Sequence, residues 1–342
     1  MTQSTNLSSR FPFSVITGPT INRIIASDFP GCVKAVREGY LAHASGRSST
    51  PISVFLRFAD RPNARIIGLP THLGGPDALS GIKWIGSYPD NVEKGFPRAS
   101  AVIVLNSHEH GYPFACLEGS IISAARTAAS AALAAGELNT TRRARKLGIV
   151  GAGFIARYVH RFLLGTGWEI DRVCVHDLLP DRAGAFAAEL AEESGHCKIE
   201  TTDDIGSLLR SSDLILFATV APRPHVHDPA LFAHCPLVLH VSLRDLAPAI
   251  ILQAWNLTDD IDHVLQAETS PHLAEMMTGA RDHMNGTLSD LMLGGCAVDR
   301  SRPMIFSPFG LGVLDLVVGK WVYECAAAAN ERILVDNFFH DV

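Results

Sequence analysis

The feature that most constrains the fold of this chain is a glycine-rich segment at residues 147–156, with the sequence LGIVGAGFIA. It has the pattern G-x-G-x-x-A directly after an apolar run typical of a buried strand and directly before an amphipathic helix. Gly151 permits a tight turn, Gly153 lets the backbone approach a pyrophosphate, and Ala156 allows the helix to pack closely on the strand. The helix N-terminus adds N–H donors and partial positive charge. The segment predicts a nucleotide-binding Rossmann domain.

The remainder of the chain downstream supports this prediction, because strand patterns alternate there with helical patterns. Such alternation predicts an α/β fold with a doubly wound parallel sheet and helices on both faces. The predicted strands lie at residues 147–150, 172–176, 214–219, 237–241 and 263–266.

The first third of the chain has a different pattern. A helical pattern at residues 22–44 is followed by several strand patterns with few helices between them, which predicts an antiparallel or mixed sheet in a second, α+β domain. An alanine-rich helix at residues 120–135 marks the change, and a helical tail at residues 319–330 is expected to pack back onto the first domain. We therefore predict a substrate domain at residues 1–122, completed by about 320–342, and a Rossmann domain at residues 123–319.

Charge and composition narrow the class of partner. The formal net charge is −6, so no basic surface for nucleic acid is predicted. The longest run without Asp, Glu, Lys or Arg, residues 229–243, is shorter than the roughly 18 apolar residues of a membrane-spanning helix. The seven cysteines are scattered, and residues 1–10 lack the apolar stretch of a signal peptide. We expect a cytoplasmic protein that acts on small molecules.

An acidic residue after the second predicted strand indicates which dinucleotide binds. Asp177 stands where a carboxylate would hold both ribose hydroxyls and repel a 2′-phosphate, so NAD is predicted rather than NADP. Arg182 nearby leaves NADP open, and Asp177 has the alternative role of capping the next helix. Thr219 lies after a further predicted strand, in a loop expected to pass the nicotinamide side of the cleft.

Charged residues inside apolar segments are the candidates for binding and transforming a substrate. Lys83 lies in a predicted strand, Arg126 is a lone cation on the alanine-rich helix, and Asp245 follows the strand at 237–241, where ligands of open α/β sheets bind. Each has an alternative: a solvent-facing strand lysine, an arginine that pairs with a neighbouring acid, and an aspartate that starts the next helix. Arg57 and Arg98 are further cations, for which a surface role is the alternative.

Two histidine pairs invite comparison with a metal site. His108 and His110 flank Glu109, and His225 and His227 flank Val226. No third ligand stands at a recognisable spacing, so we predict solvated loops and no metal. A G-x-S-x-G motif is also missing from the sequence, so nucleophilic hydrolase chemistry has no support.

Three segments together carry a resemblance to a known family. The chain resembles the ornithine cyclodeaminase/mu-crystallin proteins, in which a G-V-K strand, an L-R-T-A-A helix and a G-A-G loop occur in this order. Here these segments lie at residues 81–84, 121–130 and 147–156, and the resemblance extends from about residue 15 to 335. The most specific element is ARTAA at residues 125–129.

One branch of the family is more similar than the rest. Residues 83–91 (KWIGSYPDN), 97–102 (PRASAV) and 242–245 (SLRD) resemble the 2,3-diaminopropionate biosynthesis dehydrogenases. The resemblance implies NAD-dependent oxidation of N-((2S)-2-amino-2-carboxyethyl)-L-glutamate to L-2,3-diaminopropionate and 2-oxoglutarate, for siderophore or peptide natural-product biosynthesis. It also implies a homodimer formed through the first domain.

The resemblance assigns roles to single residues. Lys83 and Arg126 match residues that bind the substrate carboxylate, and Asp245 matches the acid that acts on the amine or the attacking water. Gly151, Gly153 and Asp177 match NAD contacts.

The chain departs from the family at Ser53, where many members carry an arginine. We therefore expect Arg57 or Arg98 to hold an additional carboxylate. Other activities of the family remain open: ornithine or lysine cyclodeaminase, ketimine reductase, alanine dehydrogenase, and a non-catalytic crystallin-like binding protein.

Overall fold

The computed structural model describes residues 11–76, 78–194 and 198–340. The sequence-based expectations for residues 1–10 and for Cys197 lie outside the described residues. The chain forms two compact units. The first takes the described residues of Met1–Arg126 and Leu311–Val342, and the second consists of those of Thr127–Gly310.

The described residues contain eighteen strands. These are β1 Phe13–Ile16, β2 Ser48–Ser49, β3 Val54–Phe58, β4 Arg61–Leu73, β5 Leu79–Ser87, β6 Ala99–Ser107, β7 Pro113–Glu118, β8 Arg143–Ala144, β9 Leu147–Val150, β10 Glu169–Ile170, β11 Arg172–His176, β12 Lys198–Thr201, β13 Leu214–Phe217, β14 Leu237–His240, β15 Trp255–Thr258, β16 Met284–Thr287, β17 Met304–Phe306 and β18 Ile333–Val335.

The described α-helices number eleven. These are α1 Gly18–Ser27, α2 Phe29–Ala44, α3 Gly119–Leu138, α4 Phe154–Gly165, α5 Pro180–Ser194, α6 Ile205–Ser211, α7 Pro248–Gln253, α8 Ile261–Val264, α9 Ser270–Thr278, α10 Leu288–Met292 and α11 Gly312–Ala328. Within the described part of the chain, no helix combines the length and the apolar character that crossing a membrane requires.

The first unit is built on a mixed sheet in the order β18-β1-β7-β6-β5-β4-β2, with β3 added beside β4. Only the β1–β7 pair is parallel among the described strands of this sheet, so the predicted antiparallel or mixed sheet is confirmed. Helix α11 packs on β4, β5 and β6 and on α2. The approach to β5 is close, because a Cβ on Gly81 would lie 2.7 Å from Leu316 Cδ1.

The second unit is built on a parallel sheet in the order β12-β11-β9-β13-β14-β17-β15-β16. Every described neighbouring pair in it is parallel. Counted along this unit's sheet, the first five strands stand in the order 3-2-1-4-5, which is the doubly wound arrangement of a Rossmann domain. The predicted fold class is confirmed. The order places the end of β9, and with it the glycine loop, between the ends of β11 and β13.

Two predicted elements differ from the structure. The strand expected at residues 263–266 is wrong, because α8 occupies Ile261–Val264. The side chain of Asp260 caps this helix by accepting a hydrogen bond from His263 N at 2.8 Å. The helix expected at residues 22–44 is divided at Asp28, whose non-helical backbone ends α1 and whose carboxylate accepts from Gly31 N to start α2.

Candidate functional site

The glycine loop joins β9 to α4 in the second unit. Gly151 has a φ of +98°, and a Cβ there would lie 2.7 Å from the carbonyl oxygen of Ala218, so only glycine fits. Gly153 precedes α4 with extended backbone, no side chain caps the helix, and a Cβ at this position would meet nothing within 4 Å. Ala156 is completely buried. The loop therefore leaves open the face through which a phosphate group would approach the helix N-terminus.

Asp177 follows β11 and is tied to the glycine loop. Its Oδ2 accepts a hydrogen bond from Ala152 N at 2.9 Å, and its Oδ1 accepts one from Leu179 N at 3.0 Å. The second bond belongs to the turn that leads into α5 and reaches no N–H group of the helix itself, so it does not make Asp177 the N-cap. The first bond braces the loop, and the role of Asp177 toward a ribose stays a prediction.

Asp245 lies beyond the carboxyl end of β14, where a network of side chains holds its carboxylate. Oδ1 contacts Thr219 Oγ1 and His225 Nε2, the latter at 3.0 Å. Oδ2 contacts Ser242 Oγ and, at 3.2 Å, His240 Nε2. Burial by itself would raise the pKa of Asp245, but the hydrogen bonds from His225, His240 and Ser242 outweigh it and lower the pKa well below its ordinary value. The carboxylate is thus held ionised.

The backbone of Asp245 is used in the same network. Its carbonyl oxygen accepts hydrogen bonds from His225 N and Val226 N, each at 3.0 Å. Asp245 does not start the next helix, because Ala247 is the N-cap of α7. His225 lies in an exposed loop, as the sequence predicts, and is fixed to Asp245 through both its ring and its main chain.

Sequence reasoning missed most of this network. His240 is completely buried at the end of β14, and its Nδ1 lies 3.0 Å from Ser307 Oγ, just beyond β17. The available signal was the position of polar residues directly after apolar strands, which is where open α/β sheets place their ligands. His240 carries that signal in an otherwise apolar run.

The first unit gathers two of the predicted cations around an acid that sequence analysis did not identify. Lys83 on β5 is 4% exposed, and its Nζ lies 2.6 Å from Asp315 Oδ2 and 3.1 Å from Ser123 Oγ. Arg126 on α3 directs Nε to Asp315 Oδ1 at 3.3 Å. The solvent-facing alternative for Lys83 is wrong. Arg126 does pair with an acid, and its role toward a substrate carboxylate stays a prediction. Two cations share one carboxylate, so the cluster keeps one excess positive charge.

Burial sets the protonation of Lys83. The loss of hydration on burial lowers the pKa of this ammonium group to about 8. The positive charge of Arg126 lowers the pKa as well, and the attraction of Asp315 offsets these two effects only in part. Lys83 is protonated at neutral pH and loses its charge only a little above it.

Arg98 and Arg57 occupy the edge of the same unit. Arg98 Nη1 donates to Ser87 Oγ at 3.4 Å, and Ser87 lies on the same face of β5 as Lys83, four residues further along. Burial and the nearby charge of Arg65 lower the pKa of Arg98. Arg57 is exposed, with its guanidinium 5.4 Å from the Phe55 ring. None of the ion pairs formed by the described residues includes Arg57, Arg65 or Arg98.

The histidines at positions 108 and 110 contact different partners. His110 Nε2 lies 3.4 Å from Glu109, while the ring of His108 lies 4.8 Å from that of His72 at a tilt of 36°. In the ranges the structure describes, no three His, Cys, Asp or Glu side chains gather as metal ligands would.

Comparison with known proteins gives a consistent result across the chain. The model of the ornithine cyclodeaminase/mu-crystallin family matches residues 21–330. Among curated proteins, the N-((2S)-2-amino-2-carboxyethyl)-L-glutamate dehydrogenase of Staphylococcus aureus is 28% identical over 307 residues, covering 87% of this chain and 90% of the relative. The alanine dehydrogenase of Archaeoglobus fulgidus is 25% identical and covers 92% and 96%.

Solved structures agree on the fold. The Delta(1)-pyrroline-2-carboxylate reductase of Thermococcus litoralis, in complex with NADH and L-proline, superposes with a TM-score of 0.86 at 22% identity, covering 95% of this chain and 100% of that one. An archaeal alanine dehydrogenase dimer with bound NAD has a TM-score of 0.83 at 22% identity, covering 96% and 100%.

The open side of the glycine loop leads to a test of dinucleotide binding. A methyl group in Gly153→Ala would project where the chain has no atom within 4 Å, so the fold should be unaffected while a pyrophosphate is obstructed. We expect the affinity for NAD, measured by isothermal titration calorimetry, to fall at least about tenfold, or about 1.4 kcal/mol.

Gly148→Ala is the matched control for the prediction that an added methyl group leaves the fold unaffected only where the chain has open space. Its Cβ would lie 2.5 Å from Leu208 Cδ2 and 2.6 Å from Ser212 Oγ, so the free energy of unfolding in urea should fall by about 1–3 kcal/mol. Unchanged NAD affinity in Gly153→Ala would refute the assignment of this loop to the pyrophosphate.

Proposed function

The chain belongs to the ornithine cyclodeaminase/mu-crystallin family, and on that premise we propose that it is an NAD-dependent oxidoreductase that acts on the CH–NH bond of an amino-acid substrate. The proposed substrate is N-((2S)-2-amino-2-carboxyethyl)-L-glutamate, and the products are L-2,3-diaminopropionate and 2-oxoglutarate. The relative from Staphylococcus aureus bears the name of this activity. The product would serve siderophore or peptide natural-product biosynthesis, and we place the enzyme in the cytoplasm.

The residues of the second unit fit NAD. The open face at Gly153, the uncapped start of α4 and the carboxylate of Asp177 would hold pyrophosphate and ribose. An acid at Asp177 disfavours a 2′-phosphate, so we assign NAD, and Arg182 leaves room for NADP. Bound NAD supplies a hydride acceptor.

The arrangement of cations is the observation that carries the choice of substrate. The proposed substrate has three carboxylates, whereas alanine and proline have one. Lys83 and Arg126 leave one positive charge in excess of Asp315, which suits one carboxylate. Arg98 and Arg57 have no acidic partner among the described residues and supply the charge for a further one. An enzyme for alanine needs no such additional cations.

The chemistry then assigns a role to Asp245. Oxidation removes a hydride from the glutamyl Cα and a proton from the secondary amine, leaving an imine. Water adds to the imine carbon, and the C–N bond breaks to give the ketone and the primary amine. Both steps move a proton, and the ionised Asp245 network is the group of the second unit that we assign to this task.

A substrate panel tests the proposal. Wild-type enzyme with NAD should produce NADH steadily from the glutamate adduct, with 2-oxoglutarate in equal amount, and at most slowly from L-alanine, L-ornithine or L-proline. Absorbance of NADH and mass spectrometry of the products are the measurements.

The panel also separates the alternatives. Signal from L-alanine alone would identify an alanine dehydrogenase, and conversion of L-ornithine or L-lysine to a saturated cyclic amino acid and ammonia, without net NADH, would identify a cyclodeaminase. Binding of substrates without any conversion would indicate a crystallin-like protein. Any of these results overturns the proposed substrate.

The lowered pKa of Lys83 predicts a pH dependence. Below pH 8 the lysine is charged and binds a carboxylate, and above pH 8 it becomes neutral. Because kcat/KM reports the free enzyme, we expect it to fall by up to about tenfold per pH unit above this point. Lys83→Arg keeps its charge to higher pH, so this loss should disappear in the variant. An unchanged alkaline limb would show that another group causes it.

We also propose that the enzyme is a homodimer formed through the first unit. One row of paired residues crosses strands β3, β4, β5 and β6 and consists of Val54, Gly68, Trp84 and Val102. The side chains of Val54, Trp84 and Val102 are apolar and yet exposed. They lie on the face of β5 opposite to Lys83. Exposed apolar patches of this kind are usual at interfaces. The archaeal alanine dehydrogenase with a similar fold is a dimer.

A charged substitution tests the dimer. Trp84→Glu should convert the dimer to a monomer in size-exclusion chromatography with light scattering, because a carboxylate cannot be buried there without a partner. Met277→Glu, at an exposed methionine on α9 of the second unit, should leave the mass unchanged. A wild-type protein that is monomeric at micromolar concentration would contradict the proposal.

A further inference from the structure

The structure contains a candidate proton carrier in a segment without an assigned role, the loop of His225 and His227. We propose that His225 is a catalytic residue that carries protons from and to the substrate nitrogen, and that Asp245 is the positioning residue that orients it. This inference rests on the proposed function, since it names the group that performs proton transfer in that reaction.

Asp245 alone is poorly suited to accept a proton. Its side chain is 0% exposed, and its two oxygens already contact Thr219, His225, His240 and Ser242. The same contacts hold the pKa of Asp245 well below its ordinary value. A carboxylate with so low a pKa is a weak base and takes up a proton from a substrate only poorly. A substrate amine would reach this carboxylate only by displacing the network.

His225 connects the buried carboxylate to the exterior. Its side chain is 37% exposed, while its Nε2 lies 3.0 Å from Asp245 Oδ1. An ionised carboxylate only accepts hydrogen bonds, so Nε2 carries the proton in this pair. The neutral ring then has its lone pair on Nδ1, which has no hydrogen-bond partner among the described residues. Nδ1 is the atom that can accept a proton from the substrate amine.

The backbone fixes this orientation before a substrate binds. The N–H groups of His225 and Val226 donate to the carbonyl oxygen of Asp245, and Ala247 N donates to Val226 O at 2.9 Å. Thr219 holds the start of the same loop, since its Oγ1 donates to Asp245 and accepts from Ala221 N at 3.1 Å. A general base needs such a fixed geometry to act at each turnover.

His240, the other titratable group on Asp245, does not fit the same role. Its side chain is 0% exposed, and both ring nitrogens are engaged, Nε2 with Asp245 and Nδ1 with Ser307 Oγ at 3.0 Å. We assign His240 to holding the negative charge of Asp245 in place. Of the two histidines that contact Asp245, the exposed His225 is therefore the one that exchanges protons.

The reaction balances with His225 in this role. As the C–H electron pair leaves the substrate to NAD as a hydride, the amine N–H bond breaks, a C=N bond forms, and the proton goes to Nδ1. The imidazolium releases this proton to solvent before the hydrolytic half, in which neutral His225 takes each proton of the attacking water in turn and passes it to the departing nitrogen. The net result is one substrate, one water and one NAD converted to two products, NADH and one released proton.

Removal of the imidazole tests the catalytic role. His225→Ala should lower kcat at least about a hundredfold with the substrate that gives NADH, while the dissociation constant for NAD stays within twofold. Added imidazole should restore part of the rate in His225→Ala, which a purely structural loss would not allow. His227→Ala is the matched control, because His227 is exposed on the same loop without contact to Asp245, and its kcat should equal that of wild type.

The tautomer of the ring is a readout that needs no turnover. Nitrogen-15 NMR of histidine-labelled protein should show His225 with its proton on Nε2, and Asp245→Asn should shift the proton toward Nδ1. A proton on Nδ1 in the wild type, or retained kcat in His225→Ala, would overturn the inference while leaving the substrate assignment intact. A wild-type enzyme that oxidises no member of the panel would overturn both.

Discussion

The buried negative charge of Asp245 is the constraint around which the second unit's candidate site is organised. A carboxylate removed from water is tolerated only when hydrogen bonds compensate for its lost hydration. Here the compensation comes from residues that follow two neighbouring parallel strands, Thr219 after β13 and His240 and Ser242 at the end of β14. The donors are brought together because parallel strands end at one edge of a sheet. Loss of any one of them would leave the charge less well compensated.

Asp315 has the opposite relation to its neighbours. It is also buried, yet it faces two cations, so the surplus charge of that cluster is positive. The two clusters thus use one residue type for different purposes: at Asp245 the carboxylate is surrounded by donors and fixes their geometry, and at Asp315 it holds Lys83 and Arg126 near each other without neutralising both. A carboxylate ligand would complete the charge balance of the first unit.

The sequence was sufficient to predict those features that depend on residues close together in the chain. The glycine loop, its flanking strand and helix, and Lys83 as an unusual charge in a strand could all be identified within a few residues. Long-range partners could not: Asp315 stands 232 residues after Lys83, and nothing near Asp315 indicates which charge it meets. The contact between His225 and Asp245 could not be predicted for the same reason, since the two residues are 20 positions apart. Strands β15 (WNLT) and β16 (MNGT) lack the continuous apolar run that identifies β9 and β13, and β17 has only three residues.

The pairing of β18 with β1 has a consequence for biosynthesis. The second unit is continuous in sequence, so it can acquire its structure while the ribosome is still adding residues. The first unit has to wait for helix α11 and strand β18, which follow the second unit in the sequence, and with them for the acid that pairs with Lys83 and Arg126. A nascent chain therefore contains every strand of the parallel sheet before β1 can pair with β18. A chain that ended after the second unit would lack Asp315, and Lys83 and Arg126 would lose the carboxylate that they share.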